Sequence, residues 1–504
     1  MIKLIYRIES DYMSKKRMLI VTSVTLSVVT ISLGIVKLYQ TYALSNYIGT
    51  VTDTGIDVYI NDDSYASIPA NGSSNVYYML TNTNPGTVKY GVAYQTTSGV
   101  TVKVYDTSED PATGTIEEND KKYIKLHLEN KNSTNKTIEL STVLGYENGG
   151  DLVVPSGVTL VTDTYTPPPT AAEYITKLYT TASKTTVTNN SITYNTAPSV
   201  SLMNDRLGGT TTDLDGGNIR YYGASPNNYI YFNCSDYSNQ TSSTCETWRI
   251  IGVFNGKLKI IRGSQIGTYS WDNKDTSTGA ESNFGKNDWT TARLMKLLNP
   301  SDYYTTDSND NNLGQGLYYN SASGKCYSGQ NNATVDCNFT STGIKNDITR
   351  NMIAETTYNL GGWNTNKIYS NQIYEYERGT TVYTGRPTTW KGKIALAYIS
   401  DYGYAVDLNQ CKDKTLNNYS DSTCTSNNWM KAIITNNGSS LGWLLTPSSS
   451  YEDSVWSVYS SGYVIYRSAS NVIVVVPVLS LSSKLGIEPG SGDGSSSNPY
   501  KLSA

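Results

Sequence analysis

Gly442–Leu481 reads GWLLTPSSSYEDSVWSVYSSGYVIYRSASNVIVVVPVLSL. An apolar framework of Trp, Val and Pro runs through it, with Tyr, Ser, Ile, Arg and Asn clustered in the gaps. Tyr offers large, rigid contact area at low entropic cost, and Ser, Gly and Asn offer adaptable hydrogen bonds, the mixture that binding loops favour. Ser460-Ser461-Gly462 predicts a hairpin with arms Val455–Tyr459 and Tyr463–Arg467, the glycine taking the positive φ that a three-residue loop needs. Alternation directs Tyr463 and Ile465 to one face and Val464 to the other. For Val472–Val476 two readings stand side by side: a buried strand, as a continuous apolar run usually is, or part of a contact surface.

Outside this stretch the chain divides by composition. All eight Trp, six Cys and four Phe of the 504 residues lie beyond residue 230, whereas the 43 Tyr run throughout. Two different folding units are therefore expected, joined by the Pro-rich linker 164–170 (TYTPPPT), an extended, semi-rigid spacer. Upstream, residues 46–163 hold short alternating runs at Ile56–Ile60, Val76–Leu80, Tyr90–Tyr94, Val100–Tyr105, Tyr123–Leu128, Ile138–Leu144 and Val158–Val161. Such runs between turn signals predict an all-β, immunoglobulin-like sandwich acting as a stalk, with His127 on its solvent face. Downstream, in residues 171–504, periodicity predicts helices over Ala171–Ser183, Asp288–Leu298 (Asp288 as N-cap) and Ile344–Leu360. Strands are predicted at Tyr229–Phe232 and Lys393–Ile399, and a hairpin joins Trp248–Phe254 to Leu258–Ile261 through Asn255-Gly256. Trp429–Ile434 fits either state.

Met18–Val36 carries no charge and follows Lys15-Lys16-Arg17. At 1.5 Å per residue the run is just long enough for a hydrocarbon core of about 30 Å, and the basic flank keeps residues 1–17 cytoplasmic. The expectation is a transmembrane helix over 18–37 and a single-pass membrane protein with extracellular C-terminal domains; a cleaved signal peptide ending near Ala43-Leu44-Ser45 is the competing reading. Cys234/Cys245, Cys326/Cys337 and Cys411/Cys424 each bracket a short polar loop, and an even count behind an export signal favours three local disulfides. Zinc fails on spacing, because no pair is Cys-x2-Cys and the single histidine lies far upstream.

Composition also excludes chemistry. Charged residues make up 16% of the chain and the net charge is −4 with both signs scattered, so no basic face points to nucleic acid. A Ser/His/Asp or Cys/His constellation would need a histidine in the C-terminal unit, and there is none. The acidic pairs Asp213/Asp215 and Glu375/Glu377 read as solvated surface. The run Asp307–Gly314 has calcium-type oxygens but lacks the Gly and Glu of an EF-hand loop. No metal, cofactor or enzymatic activity is expected.

The order of motifs carries a resemblance. Glu246–Phe254 (ETWRIIGVF), Asn287–Met295 (NDWTTARLM), Tyr376–Pro387 (YERGTTVYTGRP), Pro477–Leu481 (PVLSL) and the tail Gly492–Leu502 resemble gut-bacterial, Gram-positive surface proteins. Those end in a C-type-lectin-like domain of the formylglycine-generating-enzyme branch, and many relatives are variable proteins diversified by retroelements. The resemblance spans roughly 171–504 and implies an α+β C-type-lectin-like C-terminal domain. It also implies an invariant scaffold of Trp443, Thr446, Pro447, Trp456, Val458, Gly462, Val464, Ala469, Pro477 and Val478. The variable, ligand-binding positions would then be Tyr459, Tyr463, Ile465, Tyr466, Arg467, Ser468, Ser470, Asn471, Val472, Ile473 and Val474, all reachable by adenine mutation of asparagine codons. One departure is Val476, where the family usually has Arg. The function expected is adhesin- or receptor-like binding of an extracellular protein or glycan; the alternatives are a pilus-like or cell-wall component and a formylglycine-generating-type enzyme relative.

Overall fold

The computed structural model describes residues 44–52, 55–61, 65–82, 86–144, 152, 154–205, 217–273, 284–305, 314–327, 334–488 and 490–503. Strand outweighs helix, 38% to 15%, and the chain divides into two compact units between Pro167 and Pro168.

The first unit is built of two antiparallel-dominated sheets. In one, Thr164–Tyr165, Val100–Tyr105, Lys121–Asn130, Gly72–Asn82, Leu44–Thr52 and Gly55–Asn61 lie side by side; in the other, Val158–Leu160, Val88–Gln95, Lys136–Leu144 and Tyr65–Ile68 do, with Thr113–Ile116 paired to Val88–Gln95. Val76, Tyr78 and Leu80 point inward at alternate positions to meet Val92, Leu126 and Ile138 in one core. His127 departs from its expected solvent face. It is 5% exposed, stacked on Tyr165 at 3.6 Å, with Nδ1 2.7 Å from the Asn75 side-chain oxygen. Tyr165, from the Pro-rich seam, covers a side chain that strand alternation alone would have left wet.

The second unit holds a large sheet in the order Thr185–Asn189, Ile192–Ala197, Leu202–Asn204, Ile219–Tyr221, Glu246–Phe254, Lys257–Arg262, Val478–Ser480, Ile394–Ala395, with Tyr229–Phe232 also paired to Glu246–Phe254. A smaller sheet runs Gly267–Tyr269, Ile473–Val475, Gly442–Pro447, Ser454–Val458, Val464–Ser468. Trp443, Leu445, Val455 and Val475 face one core, and Leu444, Trp456, Val458 and Val474 face the other. A sheet covered on both faces needs apolar residues at every position, which is why 442–447 and 473–476 read as runs. The Asn255-Gly256 turn forms as expected, both residues at positive φ (49° and 69°).

Several local expectations change. Thr170 and Glu173 form a capping box and start the helix Ala171–Thr181. Over 288–298 only Arg293–Leu298 is helical, because the Asp288 carboxylate closes its own turn onto the Thr290 N–H (3.0 Å) and hydroxyl (2.6 Å). The predicted helix 344–360 breaks after Asp347–Met352, and Thr356–Asn359 pairs with Thr389–Gly392, as its β-branched and aromatic residues favour. Lys393–Ile399 keeps strand only at Ile394–Ala395, and Trp429–Ile434 is helical.

The fold class expected with an N-terminal transmembrane helix is corrected, and the single-pass membrane location with it. Among the described residues no helix is long and apolar enough to cross a membrane. The longest, Ala171–Thr181, reaches only about 16 Å at 1.5 Å per residue, against a hydrocarbon core of about 30 Å. The segments 1–17 and 18–37 lie outside the described residues, and the anchor is dropped from the functional reading. Asp213/Asp215 and residues 307–313 lie outside them too.

Beside the small sheet sits a buried ionic cluster. Asp401, 1% exposed, accepts from Arg220 Nη1 at 3.0 Å and pairs with Lys259; Arg220 also pairs with Asp205. Burial by itself would raise the Asp401 carboxyl, but Lys259 and Arg220 hold it below its ordinary value. Asp401→Asn leaves Lys259 buried without a carboxylate and Arg220 with Asp205 alone, so unfolding free energy falls by about 3–5 kcal/mol in denaturant titration. With its folded pKa depressed, Asp401 contributes stability above about pH 4 that is lost as pH falls through the folded value, and the variant flattens that acid limb.

His127 gives a second, opposite test. Burial pulls its folded pKa down against the smaller upward pull of Glu129, so the unfolded chain binds the extra proton. Stability of the first unit is thus expected to fall as pH drops below about 6.5, and His127→Gln to remove that slope in thermal melts followed across pH.

Candidate functional site

The hairpin Ser454–Val458/Val464–Ser468 is the edge of the smaller sheet, with Val458 opposite Val464, Trp456 opposite Tyr466 and Val455 opposite Arg467. Gly462 closes it at φ 111°; its N–H donates to the Tyr459 carbonyl (2.8 Å) and its carbonyl accepts from the Tyr402 hydroxyl (2.6 Å). Three further bonds hold the hairpin in place. Asn366 Nδ2 donates to the Val464 carbonyl (2.7 Å), Ser457 Oγ to that of Ile465 (2.8 Å), and Trp456 Nε1 to that of Trp363 (3.2 Å).

The expected scaffold and contact positions separate by exposure. Trp443, Thr446, Pro447, Trp456, Val458, Gly462, Val464, Ala469, Pro477 and Val478 are all buried. Tyr459, Tyr463, Ile465, Tyr466, Arg467, Ser468 and Asn471 are half-buried, and Val472 is exposed. Ser470, Ile473 and Val474 are buried, the last two in the strand between the cores, so they offer no contact surface.

Strand pairing puts the accessible residues on two sides of the edge. Tyr459, Tyr463, Ile465 and Arg467 share one side, where the rings of Tyr459 and Tyr463 stack at 4.9 Å. Tyr466 leans the other way, edge-on to Trp456 at 5.4 Å and tilted against Tyr451 at 5.2 Å. A hydrogen bond with Tyr451 raises the Tyr466 phenol above its ordinary value, so it remains a neutral donor and acceptor at neutral pH. Arg467 pairs with no carboxylate among the described residues; its Nη1 lies 3.5 Å from the Tyr466 carbonyl.

Two accessible aromatics were missed from sequence. Tyr451 is 49% exposed and Phe284 53%, the latter beside the hairpin, where its carbonyl accepts from Ser470 N–H at 2.9 Å. Tyr451 carried a signal, since it follows three serines in the same Tyr/Ser-rich stretch; Phe284 is brought in from far along the chain and carried none. The motifs behind the resemblance also find a role. Asn287 Nδ2 donates to the carbonyls of Ser448 (2.8 Å) and Tyr451 (2.7 Å), while Arg386 donates to Asn287 Oδ1 (2.8 Å) and the Glu452 carbonyl (3.0 Å). Together they hold the loop that presents Tyr451.

Glu377 departs from its expected solvated surface role. It is fully buried and accepts from Thr446 Oγ1 (2.7 Å) and Ser400 N–H (3.1 Å), burial pushing its carboxyl up. The three disulfides, Cys234–Cys245, Cys326–Cys337 and Cys411–Cys424, are formed. No known protein family and no curated protein matches the chain, so function rests on this geometry.

The tip glycine is the sensitive point of the hairpin. A Cβ there would lie 2.9 Å from both Thr425 Cγ2 and the Tyr419 carbonyl, at a φ that L-residues rarely adopt. Gly462→Ala is expected to cost about 1–3 kcal/mol in calorimetry, whereas Ser461→Ala at the exposed neighbour leaves stability within about 0.5 kcal/mol.

Proposed function

We propose that the protein is an adhesin- or receptor-like binding protein of an oxidising, extracellular environment, and that its recognition surface is the edge hairpin with the adjoining Tyr451 loop. The observation that carries this reading is the row Tyr459, Tyr463, Ile465 and Arg467, half-exposed on a hairpin whose backbone carbonyls are held by Tyr402, Asn366 and Ser457. Preorganised Tyr and Arg side chains lose little entropy on binding and are the residues that dominate interface energetics. Three disulfides support the compartment. The ligand class this surface suits is a protein or a glycan, met by ring faces, phenol hydroxyls and one cation. The resemblance to retroelement-diversified surface proteins supports a further reading, in which these positions vary between copies over the buried scaffold.

The test replaces Tyr459, Tyr463 and Arg467 together by Ala and screens the full chain against immobilised glycans and host surface proteins. Ligands captured by the parent are expected to be lost by at least about tenfold, as for truncation of central interface residues. Thermal stability should fall by only the ring stack, about 1 kcal/mol. Unfolding of the variant, or undiminished capture, would overturn the assignment of these residues to a contact surface.

A further inference from the structure

Lined by none of the hairpin residues, a cavity of about 510 Å³ opens between the strand Glu246–Phe254, the segment Gly263–Gln265 and the helix Trp429–Ile434. Its volume lies within the range of small-molecule sites. Arg249 lines it and is 6% exposed. The guanidinium is clamped between aromatic rings, 3.6 Å from the centroid of Tyr229 and 4.9 Å from that of Trp429. Its hydrogen bonds go to neutral acceptors, the Asn228 side-chain oxygen and the Pro226 carbonyl (3.2 Å). No carboxylate among the described residues pairs with it.

The acid on the same wall is already engaged. Both oxygens of Glu246 are held by Arg262, Nε to Oε2 at 2.9 Å and Nη2 to Oε1 at 3.1 Å, and Trp248 Nε1 adds a third bond to Oε2. Arg262 and Glu246 cancel, leaving the lining with the single positive charge of Arg249. A buried cation without a counter-ion is costly, and burial pulls the Arg249 pKa down to about 10 while leaving it charged at neutral pH. The rings hold the fork rigid, so little entropy remains to be lost when an anion docks. Around it the lining is uncharged and mixed: Thr247, Ser264, Asn436 and Asn437 offer hydrogen bonds, Gln265 Oε1 is buried with no hydrogen-bond partner, and Ala432 and Ile433 form an apolar strip.

We infer that this cavity binds a hydroxylated carboxylic acid of the hexuronic-acid class, its carboxylate on the Arg249 guanidinium and its hydroxyls on the surrounding amides and hydroxyls. One net positive charge suits a monoanion and disfavours a phosphate dianion. The amides and hydroxyls suit the hydroxyls of a polyol, and the short Ala432–Ile433 strip suits the apolar face of a sugar ring. The site is separate from the hairpin residues and goes beyond the function proposed for them.

Isothermal titration of the full chain with glucuronate and with its neutral analogue glucuronamide tests the inference. Glucuronate is expected to bind at least about tenfold more tightly, the worth of one charge-assisted hydrogen bond. Arg249→Gln should abolish the difference. Because that residue is buried, Ala432→Glu provides an independent variant: Ala432 is exposed on the cavity rim, and a carboxylate there should weaken glucuronate alone without lowering the melting temperature. A glucuronate-terminated disaccharide distinguishes sources. Equal or tighter binding assigns the site to glycan ends and weaker binding to the free acid, either of which supports the inference. Failure of glucuronate to bind at millimolar concentration, equal binding of glucuronamide, or indifference to Ala432→Glu would overturn it. The Tyr459/Tyr463/Arg467 triple variant should retain glucuronate binding, which separates this site from the hairpin.

Discussion

Everything in the C-terminal unit depends on the smaller sheet being covered on both faces. Gly442–Pro447, Ser454–Val458 and Ile473–Val475 are buried along their whole length, with alternate side chains committed to opposite cores. Such a strand has no free face to give to function without opening a core. The two edge strands escape this constraint: Gly267–Tyr269 has no buried residue, and in Val464–Ser468 a single residue, Val464, is buried. Display at an edge also meets a hazard, because unpaired strand edges recruit other chains. Here Asn366 takes the Val464 carbonyl and Arg467 lies beside that of Tyr466, so part of the edge is already occupied.

Polar groups inside the unit locate rather than merely stabilise. Asp401 accepts the Tyr398 N–H at 3.0 Å and is gripped by Arg220 and Lys259, which ties the helix Ile399–Tyr404 to two strands of the large sheet. That helix carries Tyr402, whose hydroxyl holds the hairpin tip. Glu377 does the same for the other side, joining the helix Ser370–Arg378 to Thr446. Replacing a buried ion pair by apolar residues is often neutral in energy, so the gain from such a cluster lies in the geometry it enforces.

Four arginines stand in different settings here, set by their partners and surroundings. Arg220 is neutralised by two aspartates, Arg262 by Glu246, and Arg249 by neither, being held by rings and neutral oxygens at the edge of a cavity. Arg467 is the fourth case, a half-exposed cation on a surface row of tyrosines. Sequence position separates none of these, because Arg249 lies in the same apolar strand motif, ETWRIIGVF, that reads as ordinary core.

Local chemistry was legible along the chain: the sandwich strands, the Asn255-Gly256 and Gly462 turns, the three cysteine pairings and the shared face of Tyr463 and Ile465. These follow from alternation, turn geometry and loop length, which act over a few residues. What only the tertiary structure decided was the fate of groups whose partners lie far off in sequence. Tyr165 covers His127; Val474 and Ile473 sink between two cores; Glu377 is buried against Thr446; Asn287 and Arg386 carry the Tyr451 loop; and Arg249 is left facing a cavity without a counter-ion. Periodicity shows which side of an element a residue takes, but burial and charge pairing depend on what the folded chain places opposite it.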